Sequence, residues 1–268
     1  MHILLPPSES KTTGGGGRSL RRRTGQGPLS EPRAEVIRAL DDLLSRSRAD
    51  IAHALALPTS VIDSAVRANA MLLDAPTRPA LDRYAGVVYD GMRCAAWNAA
   101  ERRCADRSVL IFSGLFGVVA GGAPVPDYRV PAKAVLPGVG TTGTYWRPWL
   151  AEHLPPLLRS GLVIDLRSSD YAAMWRPERS SSLARRVVRV RILSPRPDAT
   201  MAVISFPSKF FKGVLADSIV RASAAGRPPA TAEDLAALWS AAGGKDAVLS
   251  ADKDGVVLEL HSATSTVV

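Results

Sequence analysis

Cysteine is nearly absent from this chain of 268 residues, which holds only Cys94 and Cys104. Two thiols cannot build a disulfide framework, and no CxxC or HxxxH spacing offers a metal site. No apolar run approaches the roughly 18 residues of a membrane-spanning helix, so no contact with a membrane is expected. The opening residues, 1–7, are apolar but short and lack a basic start. No signal peptide is therefore expected, and the predicted compartment is the reducing cytoplasm. Lysine is also scarce, at six residues against 28 arginines. Arginine supplies charge but no titratable amine, so a retained lysine hints at amine chemistry or a compact contact.

What is present suffices for a core. Hydrophobic residues make up 46% and charged residues 22%, which excludes a wholly disordered chain. The net charge of +9 predicts a positive field that attracts phosphate-bearing partners.

The pattern predicts one α+β domain over residues 1–268, with no internal repeat and no interdomain linker. Residues 3–5 read as a buried strand running into Pro6-Pro7. Residues 13–31, with four consecutive glycines and then Arg18, Arg21, Arg22 and Arg23, read as a mobile basic loop. A mainly helical subregion follows over 32–105. Within it residues 50–57 and 59–73 form a helical hairpin, with Thr59 or Ser60 as N-cap of the second helix. Apolar runs at 109–112, 162–166, 187–193 and 201–206 predict strands. Helices are expected over 144–158, with Pro148 in its first turn, over 208–221, and over 233–242 behind a Thr231/Asp234 cap. Asp254-Gly255 marks a terminal hairpin. Cys94 and Cys104 fall ten residues apart on what reads as an alanine-rich helix. If it is continuous they stand about 15 Å apart, too far for a disulfide.

Three tempting motifs fail. Lys11-Thr12 precedes the glycine run, whereas a phosphate-binding P-loop needs its lysine after it. Gly138 and Gly140 lack the preceding strand of a dinucleotide fingerprint. Ser113 follows Phe112, so it is no GxSxG elbow. No cofactor is expected.

Four strand ends carry polar residues, and loops after buried strands are where binding groups gather. The first is Ser8-Glu9-Ser10-Lys11, whose plain alternative is a solvated loop. The second is Ser113-Gly114 with Asp127-Tyr128-Arg129, where a glycine turn exposes amides to an anion, or simply turns the chain. The third is Asp165-Leu166-Arg167-Ser168-Ser169-Asp170-Tyr171; the fourth is Ser205-Phe206-Pro207-Ser208-Lys209 with Lys212-Gly213. Together they suggest one shared cleft. His2, His53, His153 and His261 are scattered and read as surface or core, and Trp146, Trp149, Trp175 and Trp239 as core.

These same segments resemble the YaaA family, linked to peroxide stress. The carriers are Leu4-Leu5-Pro6-Pro7-Ser8-Glu9-Ser10-Lys11-Thr12, Tyr84-Ala85-Gly86-Val87-Val88-Tyr89, Ser113-Gly114-Leu115-Phe116-Gly117 with Tyr128-Arg129, Asp165-Leu166-Arg167-Ser168 with Tyr171, and Ile204-Ser205-Phe206 with Lys209 and Gly213. The resemblance runs in order over roughly residues 3–221. It implies a mixed α/β fold with a basic cleft and a helix-hairpin-helix-like element, near residues 51–73, that binds double-stranded DNA. The hairpin departs from that pattern, since its Leu57-Pro58-Thr59-Ser60 turn has no glycine and Pro58 has no N–H. The glycine- and arginine-rich insertion at 14–23 is also unlike the family's opening.

Two functions follow as expectations. One is a monomeric DNA-binding protein protecting against oxidative damage. Its phosphate contacts come from Ser8, Ser10, Lys11, Arg21, Arg22, Arg23, Ser113, Gly114, Arg129, Ser168, Lys209 and Lys212. The other is an enzyme acting on a nucleobase or nucleoside-like ligand, of N-glycosidase or lyase type. There Lys11 is the amine, and Glu9 or Asp165 the general acid/base.

Overall fold

The computed structural model describes residues 1–22, 27–198, 200–252 and 254–263. Its centre is a mixed, mostly parallel sheet in an α/β arrangement. The strand order is Ala247–Asp252, Gly255–His261, Val187–Pro195, Val163–Asp165, His2–Leu5, Val109–Ser113, Gly117–Ala120. The five inner strands run parallel, and antiparallel partners close both edges. Strands His2–Leu5 and Val163–Asp165 are continuous apolar runs because parallel strands are covered on both faces; Ile3, Leu4, Leu5, Val163 and Ile164 are fully buried.

The chain reverses its direction of travel across this sheet. From His2–Leu5 it moves to Val109–Ser113 on one side, then returns to Val163–Asp165 on the other and continues outward. Leu4 pairs with Leu110 on one flank and Asp165 on the other. The crevice beyond the carboxyl ends of two such diverging strands is where open α/β sheets bind ligands.

Several sequence expectations are corrected. Residues 13–22 are not free of structure: Gly17 and Thr77 exchange backbone hydrogen bonds of 3.0 and 3.2 Å, and Leu20–Arg22 forms a helical turn. Buried Arg83 fastens this segment, donating to the carbonyls of Thr12, Gly14, Pro76 and Val125. The helical pair is present as Arg48–Leu55 and Thr59–Ala70, but Pro58 occupies the cap position and no side chain caps the second helix. Ala56 takes the left-handed conformation (φ 50°) at the end of the first. In helix Thr142–Leu157, Pro148 is the seventh residue, past the first turn; buried Trp146, Leu150 and Leu154 anchor the helix through the lost hydrogen bond. The strand expected over 201–206 shrinks to Met201–Ala202, because helix Ser205–Ala224 starts at once and takes Phe206 with it. Cys94 and Cys104 do not share a helix: Cys94–Ala96 is a separate turn, and Asn98 caps a new helix, Ala99–Ser108, through a capping box. The Thr231 cap and the terminal hairpin form as expected.

One packing contact shapes the site. Helices Val87–Met92 and Ser205–Ala224 cross at Gly91 and Gly213. A Cβ on Gly91 would strike the Phe210 carbonyl, and one on Gly213 the Val88 carbonyl. Only glycine lets the two backbones approach this closely.

Candidate functional site

A cavity of about 730 Å³ opens at the switch point of the sheet. Its walls come from the loop after the first strand (Ser8 to Lys11), the loop after Val163–Asp165 (Arg167 to Tyr171), and segments 85–89 and 128–133. The start of helix Ser205–Ala224 completes it with Ser205, Ser208, Lys209 and Lys212. The volume suits a ligand of nucleotide size.

Lys11 reaches the cavity from a loop stitched to a neighbouring segment. Thr12 donates its N–H to Arg83 O at 2.9 Å, and Ala85 N–H bonds to Ser10 O at 3.1 Å. The Lys11 ammonium, itself part-buried, donates to the Ser8 carbonyl at 2.9 Å. Its nitrogen stands 4.3 Å from the ring centre of Tyr128 and 5.3 Å from that of Tyr84. Burial, reinforced by the Arg129 charge, pulls its proton affinity down to about 7 against the partial opposition of Asp127 and Glu9. The cation–π contacts act in the opposite sense, favouring the charged form.

Beneath Lys11 lies a chain of hydroxyls. Tyr84 and Tyr128 share a 2.7 Å hydrogen bond, and Tyr128 shares another of 2.7 Å with Ser113. Ser113 Oγ also accepts the Leu115 and Phe116 amides at 3.1 and 3.0 Å. With both lone pairs engaged, the serine is set to donate its own hydrogen to Tyr128. Burial raises the proton affinity of Tyr84, Tyr89 and Tyr128, so these hydroxyls stay neutral. The layer beneath Lys11 is thus aromatic, hydrogen-bonded and uncharged.

The rim is basic. Arg129 is aimed by buried Asn69 of the second hairpin helix, whose side chain accepts the Arg129 amide at 2.7 Å and donates to its carbonyl at 3.0 Å. The guanidinium pairs with Asp127. Lys133 lines the same wall. Opposite, Lys212 donates to the Arg167 carbonyl at 3.1 Å, and burial lowers its proton affinity. Among the described residues, Lys11, Lys133, Lys209 and Lys212 line this one cavity, and Arg129 and Arg167 are the only arginines that do. Lysine marks the site and arginine does not.

Of the residues singled out from sequence, Ser8, Glu9, Ser10, Lys11, Arg129, Ser168, Lys209 and Lys212 line the cavity. Asp165 does not. It is buried and bound two-pronged by Arg167 at 2.7 and 2.8 Å, and these charges hold its carboxyl below the usual range despite burial. So engaged, and outside the lining, this carboxylate serves to hold Arg167. Ser113 and Gly114 lie outside the lining: Ser113 anchors Tyr128, and Gly114 packs against the Val130 and Pro131 carbonyls. Arg21 is exposed and paired to Asp74 at 2.6 Å, Arg22 is exposed, and neither lines the cavity. Arg23 lies outside the described residues. Tyr128 and Arg167, both in the strand-end loops read from sequence as one cleft, line the cavity as well, whereas sequence reasoning missed Lys133 and gave Tyr89 no place in the cleft. The scarcity of lysine would have found Lys133; no pattern of sequence would have shown Tyr128 beneath Lys11.

Among the described residues, no group of three or more His, Cys, Asp or Glu is placed to hold a metal ion, and no helix is long and apolar enough to cross a membrane.

Comparison with known proteins gives a consistent picture. The family described as peroxide stress protein YaaA matches residues 1–262. A UPF0246 protein of Streptomyces coelicolor is 38% identical over 231 residues, covering 86% of each chain. One of Corynebacterium efficiens is 37% identical over 221 residues, covering 81% of this chain and 83% of its own. One of Corynebacterium glutamicum is 32% identical over 249 residues, covering 91% and 93%.

Proposed function

The chain belongs to the peroxide stress protein YaaA family, and from that premise we propose that it serves the peroxide stress response by binding duplex DNA at the lysine-lined cavity. The observation that carries this reading is the gathering of Lys11, Lys133, Lys209 and Lys212 around one opening. Among the described residues none of these lysines has a carboxylate within ion-pair distance, so no acidic side chain competes with a phosphate for them. The uncapped first turn of helix Ser205–Ala224 adds amide donors on the same wall. The helical hairpin enters this reading through Asn69, which positions Arg129, and through Leu57, which lines the cavity.

The test is fluorescence anisotropy with a labelled duplex across a potassium chloride series. About four phosphate contacts give a log–log slope of roughly −3 to −4. Lys209→Ala should lower that slope by about 1. Absent or salt-insensitive binding sinks the reading.

A second reading is favoured by one specific feature, the Lys11 amine on the cavity floor with its lowered proton affinity. It is an enzyme acting on a nucleobase or nucleoside-like unit, with Lys11 as the amine and Glu9 as the acid/base. Chromatographic release of free base from intact and oxidised duplexes, lost in Lys11→Met, is the expected result. No release from either substrate rules this reading out.

A further inference from the structure

The Lys11 nitrogen has an unusual set of neighbours for a lysine. It meets one carbonyl oxygen, that of Ser8 at 2.9 Å, and two aromatic faces, those of Tyr128 and Tyr84. The charged groups that act on it are Arg129, Asp127, Glu9 and Arg83, and among the described residues no carboxylate makes an ion pair with it. The hydroxyls of Tyr84 and Tyr128 are bonded to each other, and that of Tyr128 also to Ser113. A lysine kept only to hold a phosphate would do better charged and solvated. One held over aromatic rings, and bonded through one of its hydrogens, keeps its nitrogen lone pair for a ligand. Around it, Lys133, Lys209 and Lys212 supply positive charge for an anionic group on the same ligand.

We propose that the Lys11 amine condenses with an aldehyde carried on a phosphorylated sugar chain, forming an imine inside the cavity. This rests on the phosphate-binding reading only for the anionic part of the ligand. In the step, the nitrogen lone pair forms a bond to the aldehyde carbon, and the carbonyl π pair moves to oxygen, which takes a proton. The resulting carbinolamine loses hydroxide together with a proton as water, leaving a carbon–nitrogen double bond. One amine and one aldehyde give one imine and one water, and nothing is oxidised or reduced. Two sources share this chemistry: an abasic nucleotide within a DNA strand, and a free sugar phosphate in its open-chain form.

The experiment is reductive trapping of the full chain with sodium borohydride, whose hydride converts an imine to a stable secondary amine. One arm uses a duplex containing an abasic site, and the other uses 2-deoxyribose 5-phosphate. Adducts are located by peptide mass spectrometry, with exposed Lys245 as the internal reference. The expected result is labelling at Lys11 at least tenfold above Lys245 in one or both arms, with the arm that labels identifying the source. Lys11→Met should remove the adduct while its circular dichroism spectrum stays that of the parent. Labelling at Lys11 no greater than at Lys245 in both arms overturns the proposal, as does an undiminished total adduct in folded Lys11→Met. Mapping the parent chain keeps the test decisive if the variant fails to fold. Anisotropy with an intact duplex is run on the same preparation. Loss of intact-duplex binding with Lys11 still trapped refutes DNA binding and supports the imine, and the reverse result does the opposite.

Discussion

Replacing Lys11 by methionine tests the cavity floor without any ligand. Methionine keeps the length of the side chain and removes its charge and its hydrogen bond to Ser8. In the folded chain the amine binds its proton with an affinity near 7, against 10.5 when exposed. Between those limits the unfolded chain holds more protons than the folded one, so Lys11 makes stability rise with pH across that window. Below about pH 7 both states are protonated, and the folded state bears the full cost of burying the charge. Linkage between those two affinities gives a relief of about 2 to 3 kcal/mol as pH rises from 6 to 9.

The assay is thermal unfolding of the parent and Lys11→Met at several pH values, read as the difference between the two. Titrations common to both proteins cancel, as does the constant loss of the Ser8 hydrogen bond. At roughly 2–4 °C per kcal/mol for a chain of this size, the methionine variant's advantage in Tm should shrink by about 5–10 °C over that range. A difference that stays flat from pH 6 to 9 would mean that the amine keeps an ordinary proton affinity. That result would remove the physical basis for a neutral Lys11 at physiological pH.

Three further outcomes follow from the packing. Gly213→Ala forces a methyl into the Val88 carbonyl and should cost about 1–3 kcal/mol or more, read by denaturant unfolding. Asp165→Asn leaves the buried Arg167 guanidinium without its counter-charge and should cost about 3–5 kcal/mol at pH 7. Because the Asp165 carboxyl is held below its usual range, that contribution is present above about pH 4 and fades as pH falls through the folded value; unfolding followed at pH 7 and pH 3 should show the gap closing. Cys94, whose thiol burial pushes up to about 12, should react with iodoacetamide at pH 8 far more slowly than an unfolded control. Fast labelling of Cys94 in the folded chain would contradict that burial.

The strands that carry the site were legible because parallel strands buried on both faces read as unbroken apolar runs, as in Ile3-Leu4-Leu5 and Val163-Ile164. Their loops were legible as places for polar groups. Which strands are neighbours was not, since parallel pairing links residues as distant as Leu4 and Asp165 and leaves no local mark. Asp165 shows the consequence. From sequence it is a polar residue at a strand end, open to a role in acid/base chemistry. In the fold Arg167, two residues on, turns back and occupies it. Ser113 misleads in the same way: it looks like a ligand contact and is a support for Tyr128. By composition the glycine run reads as mobile, but tertiary contacts to Thr77 and Arg83 hold residues 12–17.

The two cationic residues divide the work of the fold. Arginine ties backbone to backbone: Arg33 holds the Phe116 and Val118 carbonyls at 3.0 and 2.7 Å, and Arg83 gathers four more. The two arginines that line the cavity each carry an aspartate partner, so their charge is largely spent. The uncompensated charge of the site therefore belongs to lysines, and at Lys11 it depends on pH. That makes the two uses of Lys11 separable. A phosphate contact needs the ammonium and weakens as pH rises through about 7, whereas imine formation needs the free amine and strengthens over the same range. One pH series, with duplex binding and borohydride trapping measured on the same samples, should show the Lys11 contribution moving in opposite directions in the two readouts. If both rise or both fall together, Lys11 does not serve in both capacities.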